Sequence, residues 1–224
     1  MFSIKEIVTR LSTISARFTG AKREYKCKRI SGKNNHIHQD KASFSNVSLD
    51  ISGDFNEVFV GDSSVLNNVK IYIRGNKNRI VIGKNCRFVK GGDLWIEDDG
   101  CALNIGDDSS FIDVHLAVTE TGSKIDIGSD CMFAYDIDVR TGDSHSILDM
   151  DTGKRINQAR DVFIDDHVWV ASHVNILKGV HIQKGSVVAT GSILAKSIDE
   201  ANVVYAGNPA VVVKRKIEWS RERV

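Results

Sequence analysis

An apolar residue recurs at every sixth position near the end of the chain, and no other feature constrains the fold as strongly. The series comprises Ile164, Val170, Ile176, Ile182, Val188 and Leu194. Small or β-branched residues follow four positions after each of the first five, at Val168, Val174, Val180, Ser186 and Ser192. Neither the helical period of 3.6 nor the strand period of 2.0 selects these positions. The pattern predicts stacked coils with three flat sides, whose first residue points inward and whose fifth lies near a corner.

A longer repeat carries the same pattern towards the N-terminus. Its segments have the form apolar, any residue, apolar, then Gly or Asp, and their third residues are Val60, Ile82, Ile105, Ile127 and Ile164. The first three intervals are 22, 23 and 22 residues, close to one coil each. With neighbouring coils about 4.8 Å apart, the repeat predicts seven or so coils between residues 45 and 197.

The last interval, from Ile127 to Ile164, is 37 residues and breaks the period. The excess predicts one loop over residues 141–160 that leaves the prism, and long loops on rigid repeats commonly carry function. Residues 2–18 place apolar side chains on one face of a predicted amphipathic helix. We therefore predict three regions: a helix with a basic cap segment over 1–44, coils over 45–197, and a tail over 198–224 for which a helix is one expectation.

Composition limits the cellular setting. The net charge of the chain is only +1, which favours no nucleic-acid partner, but residues 1–33 carry nine cations against two acidic residues. This segment is expected to cap the coils or contact another subunit, and peripheral membrane contact through residues 2–30 is the alternative. A run of about 18 apolar residues and a signal-peptide core are both missing, so we expect a cytoplasmic protein. The four cysteines form no CxxC pair.

Several motifs together resemble the hexapeptide-repeat acyltransferases, and within them the bacterial O-acetyltransferases of surface polysaccharides. The motifs are Thr141-Gly-Asp-Ser-His-Ser146, His167-Val-Trp-Val-Ala-Ser172, Ile176-Leu-Lys-Gly-Val180, Gly191-Ser-Ile-Leu-Ala-Lys196 and Ala206-Gly-Asn-Pro-Ala210. The resemblance implies an all-β fold, a left-handed parallel β-helix, and a homotrimer with active sites between subunits. It also implies acetyl-CoA as co-substrate, no metal, and a saccharide acceptor whose hydroxyl group receives the acetyl group.

The resemblance also assigns roles to individual residues. His145 corresponds to the catalytic histidine and would act as general base, a task that suits an imidazole near neutral pH. Asp143 or Asp136 would orient the imidazole, and Trp169 would lie near the acyl group. His115, Asp136 and Ser144 are expected on the acceptor side. The residues expected to bind CoA are Ala171, Ser172, Thr190 and Gly191 along the pantetheine arm, and Lys196 and Lys214 at the phosphates.

Other functions stay open on the sequence alone. An amine acceptor on an amino sugar, or an antibiotic hydroxyl group, would use the same machinery. A non-catalytic structural or binding β-helix would need neither the loop histidine nor the basic tail. A zinc enzyme on the same fold would need a pair of histidines five residues apart, and the sequence has none, since His167 and His173 are six apart.

Overall fold

The computed structural model describes residues 23–223, which form a left-handed parallel β-helix of strands and turns with no helix among them. The amphipathic helix predicted over residues 2–18 lies outside the described residues. Within residues 23–223, no helix has the length and hydropathy needed to cross a membrane. The predicted left-handed β-helix is confirmed.

Each coil contributes a strand to three parallel sheets, which we call faces A, B and C in chain order. Face A contains β2 (His36–Gln39), β4 (Glu57–Val60), β7 (Arg79–Ile82), β10 (Ala102–Ile105), β13 (Lys124–Ile127), β16 (Val162–Ile164) and β19 (His181–Ile182). Face B contains the first part of β3 (Ser43–Ser52), then β5 (Val65–Asn67), β8 (Arg87–Phe88), β11 (Ser110–Phe111), β14 (Met132–Phe133), β17 (Trp169–Val170), β20 (Val187–Val188), β22 (Val203–Gly207) and the antiparallel β23 (Ala210–Arg215).

Face C contains β1 (Arg23–Ser31), the second part of β3, β6 (Val69–Arg74), β9 (Gly92–Glu97), β12 (Val114–Val118), β15 (Ile137–Arg140), β18 (Asn175–Ile176) and β21 (Ile193–Leu194). Strand β3 serves two faces because it bends at Asn46, whose φ is 56°. We call the edges between the faces the A–B, B–C and C–A corners.

The predicted inward residues form the core. All six apolar residues of the series from Ile164 to Leu194 are at most 2% exposed, and the five corner residues that accompany them are fully buried. In the earlier coils, face B stacks Phe88, Phe111 and Phe133 on one another, with ring centroids 4.6 and 4.9 Å apart. Parallel pairing in strict register places equivalent residues above one another, so one sequence pattern fills the whole interior.

Glycine is required at the C–A corner of the first coils because the backbones approach closely there. Gly53 and Gly75 both have φ of 128°. A Cβ atom on Gly53 would lie 1.9 Å from the carbonyl oxygen of Gly75. Any other residue would therefore clash with the next coil and strain its own backbone.

Two predicted boundaries differ from the structure. Parallel pairing is already present ahead of residue 45, because β1 pairs with β3 from Arg23 to Ser31. Most side chains of β1 are exposed, and its apolar residues do not alternate clearly. The sequence therefore did not indicate this strand. The tail forms strands instead of a helix: β22 continues face B, and β23 folds back on it through the turn at Asn208 and Pro209.

We predict that Phe111→Ala lowers the free energy of unfolding by about 3–5 kcal/mol, because it opens a cavity between two stacked rings. Urea unfolding followed by circular dichroism measures the change. Phe59→Ala is the control, since Phe59 is 37% exposed on the outside of face A. Equal destabilisation by the two variants would contradict the proposed role of the aromatic stack.

Candidate functional site

The loop leaves the coils at the C–A corner, directly after β15, and its base is fixed to the coil before it. The buried hydroxyl group of Thr141 accepts a hydrogen bond from the backbone N–H of Thr119 (2.9 Å) and donates one to the Thr119 carbonyl (3.0 Å). A Cβ atom on Gly142 would lie 2.6 Å from the Thr119 hydroxyl oxygen. The loop therefore starts from a residue, Thr141, that is bonded to the coil before it, followed by a glycine at a position with no room for a side chain.

A polar clasp joins the start of the loop to its end and to the next coil. The Asp143 carboxylate accepts hydrogen bonds from Nδ2 of Asn157 (2.8 Å) and from Nζ of Lys178. Lys178 also donates to the Asn157 carbonyl (2.9 Å), and Asn157 Nδ2 donates to the carbonyl of His145 (2.8 Å). The Lys178 ammonium, and then the Asn157 amide, hold the pKa of Asp143 below its usual value. Asp143 therefore stays ionised and keeps the clasp closed at neutral pH.

A second tie holds the outgoing arm of the loop. Arg155 donates to both carboxylate oxygens of Glu120, and the Glu120 carboxylate also accepts from the backbone N–H of Ala159 (3.1 Å). The hydrogen bonds from Arg155 hold the pKa of Glu120 below its usual value. Between the two ties the loop pairs with itself, with Ile156 N–H donating to the Ile147 carbonyl (2.9 Å). The excursion is thus a fixed hairpin on the prism.

His145 is presented on this hairpin with its backbone held and its side chain exposed. Its N–H donates to the Asp143 carbonyl (2.8 Å), and its own carbonyl is held by Asn157. From residue 23 to residue 223, no side chain hydrogen-bonds to its imidazole. The predicted orienting contacts are therefore not made within this chain: Asp143 belongs to the clasp, and Asp136 bonds to His173 (2.8 Å). Ser144, expected on the acceptor side, is exposed beside His145 with φ of 63°.

Trp169 lies far round the prism from His145, on the outside of face B. Its indole is half-buried and packs against Trp219 of the tail, with ring centroids 6.1 Å apart. Trp219 is fixed in turn by His167: the rings stack at 4.1 Å, and the indole N–H of Trp219 donates to the His167 carbonyl (2.9 Å). One chain therefore does not bring the two predicted catalytic side chains together.

The structure groups most, but not all, of the predicted CoA residues. Ala171 and Ser172 form one B–C corner, and Thr190 and Gly191 form the corner above it, where Gly191 N–H donates to the Ser172 carbonyl (3.0 Å). Space around the Cα of Gly191 is open, and these four residues form a ledge of small side chains.

The two predicted phosphate-binding lysines lie apart. Lys214 is exposed on β23, and strand pairing places it in the same outward file of face B as Trp169. Lys196 follows β21 at the C–A corner, away from the ledge. Of the two lysines, only Lys214 lies on the same face as Trp169, the residue expected next to the acyl group.

Below the ledge, a groove of about 470 Å³ runs along the B–C corner and the adjoining edge of face C. Two of the predicted acceptor residues, His115 and Asp136, line it together with Asp138. His115 Nδ1 lies 3.7 Å from Asp138 Oδ2. Burial alone would raise the pKa of Asp138, but hydrogen bonds from His115 and Arg140 outweigh it and lower that pKa to about 2. The groove wall thus holds a permanent carboxylate beside an imidazole.

Four residues that hold the loop were not predicted from the sequence, namely Asn157, Lys178, Glu120 and Arg155. A usable signal existed for Lys178: it lies 37 residues after Thr141, the same interval that separates Ile127 from Ile164. It therefore occupies the corner position directly above the loop exit. Among residues 23–223, no group of three or more His, Cys, Asp or Glu side chains is arranged to hold a metal ion.

Comparisons with known proteins agree on one group of relatives. A protein named polysialic acid O-acetyltransferase from Neisseria meningitidis is 36% identical over 187 residues, which are 75% of this chain and 86% of that protein. One of the same name from Escherichia coli O1:K1 / APEC is 36% identical over 144 residues, 64% of this chain and 39% of that protein. No family model matches the sequence.

Solved structures give the same result. The crystal structure of the polysialic acid O-acetyltransferase OatWY superposes with a TM-score of 0.83 and 31% identity, covering 90% of this chain and 93% of that one. The polysialic-acid-specific acetyltransferase NeuO gives a TM-score of 0.77 and 31% identity, with 88% and 89% covered. The similarity therefore extends over most of the chain and most of each of these two proteins.

We predict that Lys178→Met opens the loop, because Asp143 and the Asn157 carbonyl lose the ammonium group that joins them. Limited trypsin digestion measures this, since cleavage at the exposed Lys154 depends on local opening of the hairpin. The rate of cleavage should rise clearly in Lys178→Met and stay unchanged in Lys184→Met, the control on the A–B corner. Identical digestion of both variants would show that the clasp does not hold the loop.

Proposed function

Since the chain belongs to the hexapeptide-repeat acetyltransferases, close to those that O-acetylate surface polysaccharides, we propose that it transfers an acetyl group from acetyl-CoA to a hydroxyl group of an acidic surface polysaccharide such as polysialic acid. The 36% identity to a polysialic acid O-acetyltransferase over 86% of that protein carries the proposal. It makes the chain an acetyltransferase rather than a non-catalytic β-helix. The names of the relatives favour a polysaccharide hydroxyl group over an amino sugar or an antibiotic.

The proposed chemistry uses one base and an activated ester. Acetyl-CoA supplies the acetyl group as a thioester, so no covalent enzyme intermediate is needed. His145 removes the proton from the acceptor hydroxyl group as its oxygen forms a bond to the carbonyl carbon. The carbon–sulfur bond then breaks, and CoA leaves as the thiol with the proton that His145 returns to its sulfur. The Trp169 indole N–H is the candidate donor to the negative charge that develops on the carbonyl oxygen. The clasp fixes the backbone of His145, which lowers the cost of holding the base in place.

The site is completed by a second copy of the chain. His145 leaves from the C–A corner, whereas Trp169, Lys214 and the ledge of Ala171, Ser172, Thr190 and Gly191 lie on face B and the B–C corner. A cyclic trimer that sets the C–A corner of one subunit against the B–C corner of the next joins the two halves three times.

The hairpin carries an apolar surface suited to this contact. Its side chains Ile147, Leu148, Met150 and Ile156 are 56–100% exposed in the single chain. Apolar patches of this kind on a fixed element commonly mark a contact between proteins. The homotrimer is thus supported by the position of the hairpin and by its surface.

We predict that the protein releases free thiol from acetyl-CoA when polysialic acid is supplied, and much less with a neutral polysaccharide. His145→Ala should lower kcat by about 10²–10⁴-fold, because it removes the base. Affinity for CoA, measured by calorimetry, should be unchanged in the variant. His181→Ala is the control, since His181 lies on face A and bonds to Asp165 (2.8 Å). Full activity of His145→Ala would refute the mechanism.

We predict that two inactive variants complement each other if the site is shared. His145→Ala and Trp169→Ala subunits, co-expressed with different affinity tags, assemble into mixed trimers in which about one site in three joins an intact His145 to an intact Trp169. Activity should therefore reappear in the doubly purified protein. Its absence from stable mixed trimers would place the whole site within one subunit.

A further inference from the structure

The end of the chain runs back along the A–B corner and is fixed there to three successive coils. Trp219 packs on His167, and Arg221 hydrogen-bonds to residues at the same corner of the two coils before it. We call residues 217–221 the strap. Chain ends are commonly poorly ordered unless they are tied down, so this number of contacts indicates a segment with a task. One functional residue, Trp169, packs directly against it.

Trp219 is the buried part of the strap. Its ring stacks on the His167 imidazole with centroids 4.1 Å apart and planes 11° from parallel, and it is only 7% exposed. Its indole N–H donates to the His167 carbonyl (2.9 Å), and its own carbonyl oxygen lies 3.1 Å from His167 Nε2. A single histidine at the corner therefore meets the ring, the N–H and the carbonyl of Trp219. These three contacts fix the orientation of the Trp219 ring.

Arg221 holds the strap against the earlier coils. Its guanidinium donates to Asp130 Oδ1 (2.9 Å), to the Ser110 hydroxyl group (2.8 Å) and to two backbone carbonyls. The other oxygen of the Asp130 carboxylate lies 2.6 Å from His167 Nδ1. Burial alone would raise the pKa of Asp130, but the hydrogen bonds from His167 and Arg221 outweigh it and lower that pKa. One ionised carboxylate thus joins the two anchors of the strap.

Trp169 has the strap as its aromatic neighbour. It lies on a strand of only two residues, with its side chain on the outside of face B between its register partners Met132 and Val187. Within residues 23–223, Trp219 is the only ring that packs against it, with centroids 6.1 Å apart and planes at 48°. An outward tryptophan without such a neighbour has several rotamers available, and ordering it costs free energy. Because Trp219 is already fixed, it narrows this choice.

The two tryptophans differ in how their indole N–H groups are used. The Trp219 N–H is occupied by the His167 carbonyl, whereas the Trp169 N–H donates to no group in the described part of the chain. The chemistry proposed above needs a donor that is held in place and unpaired until the carbonyl oxygen gains charge. A misplacement of about 1 Å at a reacting centre can cost about 100-fold in rate. The fixed orientation of the Trp169 ring therefore matters as much as its presence.

We propose that Trp219 is a positioning residue for the acetyl transfer, and that the strap orients the Trp169 indole towards the acyl group. The inference rests on the proposed function, since it concerns the donor assigned there. Trp219 acts through the ring that it fixes and contacts neither substrate. Its removal should lower kcat and leave KM for acetyl-CoA unchanged, because the charge that Trp169 contacts exists only in the transition state.

The kinetic test is a double-mutant cycle. Trp219→Leu should lower kcat by roughly 10-fold, and Arg221→Ala, which removes the anchor of the strap on the earlier coils, should lower it in the same direction. In Trp169→Ala protein, neither substitution should reduce the residual rate further, because the residue through which both act is gone. An equal loss in both backgrounds would show that the strap acts independently of Trp169 and would overturn the inference.

Two variants control for a general loss of structure. Trp219→Phe keeps a ring in the same space and should retain most of kcat. Glu222→Ala, an exposed residue on the same tail, is the matched control for Arg221→Ala and should leave kcat unchanged. The proposed trimer joins the C–A and B–C corners and leaves the A–B corner free, so light scattering should show the same oligomer for every variant. Equal loss of kcat in Trp219→Phe and Trp219→Leu would contradict positioning by the ring.

A spectroscopic test separates this inference from the proposed activity. The chain has three tryptophans, Trp95, Trp169 and Trp219, so protein made with 5-fluorotryptophan gives three fluorine NMR signals, which single substitutions assign. The Trp169 signal should shift in Trp219→Leu and in Arg221→Ala, whereas the signal of Trp95, on face C, should not. An unshifted Trp169 signal would refute the inference even in a protein that acetylates polysialic acid. Failure of the unchanged protein to acetylate would refute the proposed function, and the fluorine signal would still decide whether the strap positions Trp169.

Discussion

The stack of coils depends on side-chain hydrogen bonds at its corners, where the backbone turns and leaves N–H groups without a strand partner. A carboxylate or amide one coil later accepts these protons: Lys33 N–H donates to Asp54 Oδ1, Lys84 N–H to Asp107 Oδ1 and Ser129 N–H to Asp166 Oδ1, each at 2.7 Å. Buried corner donors are also paired, as Cys101 N–H is with Asn78 Oδ1 (2.8 Å), and leaving such a donor unpaired would cost about 1–3 kcal/mol. The hydrogen bonds at the corners thus help to maintain the strand register, and the register sets the position of every functional residue described above.

Because the register is fixed, a single interruption suffices to build a site. The loop is bonded to the preceding coil at Thr141, and its Asp143 carboxylate is bonded to Lys178 on the following coil. These contacts hold the loop so that the His145 side chain extends into solvent. The same rigidity keeps Trp169 on another face. Residues at different corners of one prism cannot meet within it, which is why the proposed site needs the symmetry of a trimer.

The tail and the first strand extend this arrangement beyond the regular repeat. Trp219, only 7% exposed, packs against His167 and Trp169. Arg221 donates hydrogen bonds to Asp130 (2.9 Å) and Ser110 (2.8 Å). These contacts link coils far apart in sequence and support Trp169. At the other end, β1 adds a basic strand to face C. Both segments lack a repeat pattern, and both gain their role from the coils on which they pack.

The six-residue period was enough to predict the coils, because it admits no helix or flat sheet, and one irregular interval of 37 residues was enough to locate the loop. Motif resemblance supplied the hand and the chemical class. Tertiary structure alone decided that Asp143 pairs with Lys178 rather than with His145, that Lys196 lies apart from the ledge, and that Tyr72 stacks on Trp95. The physical reason is that an outward side chain meets residues of other coils, 23 residues away for Tyr72 and Trp95 and 35 for Asp143 and Lys178, whereas residues close in sequence, such as Gly191 and Lys196, lie at different corners. No local pattern encodes those neighbours.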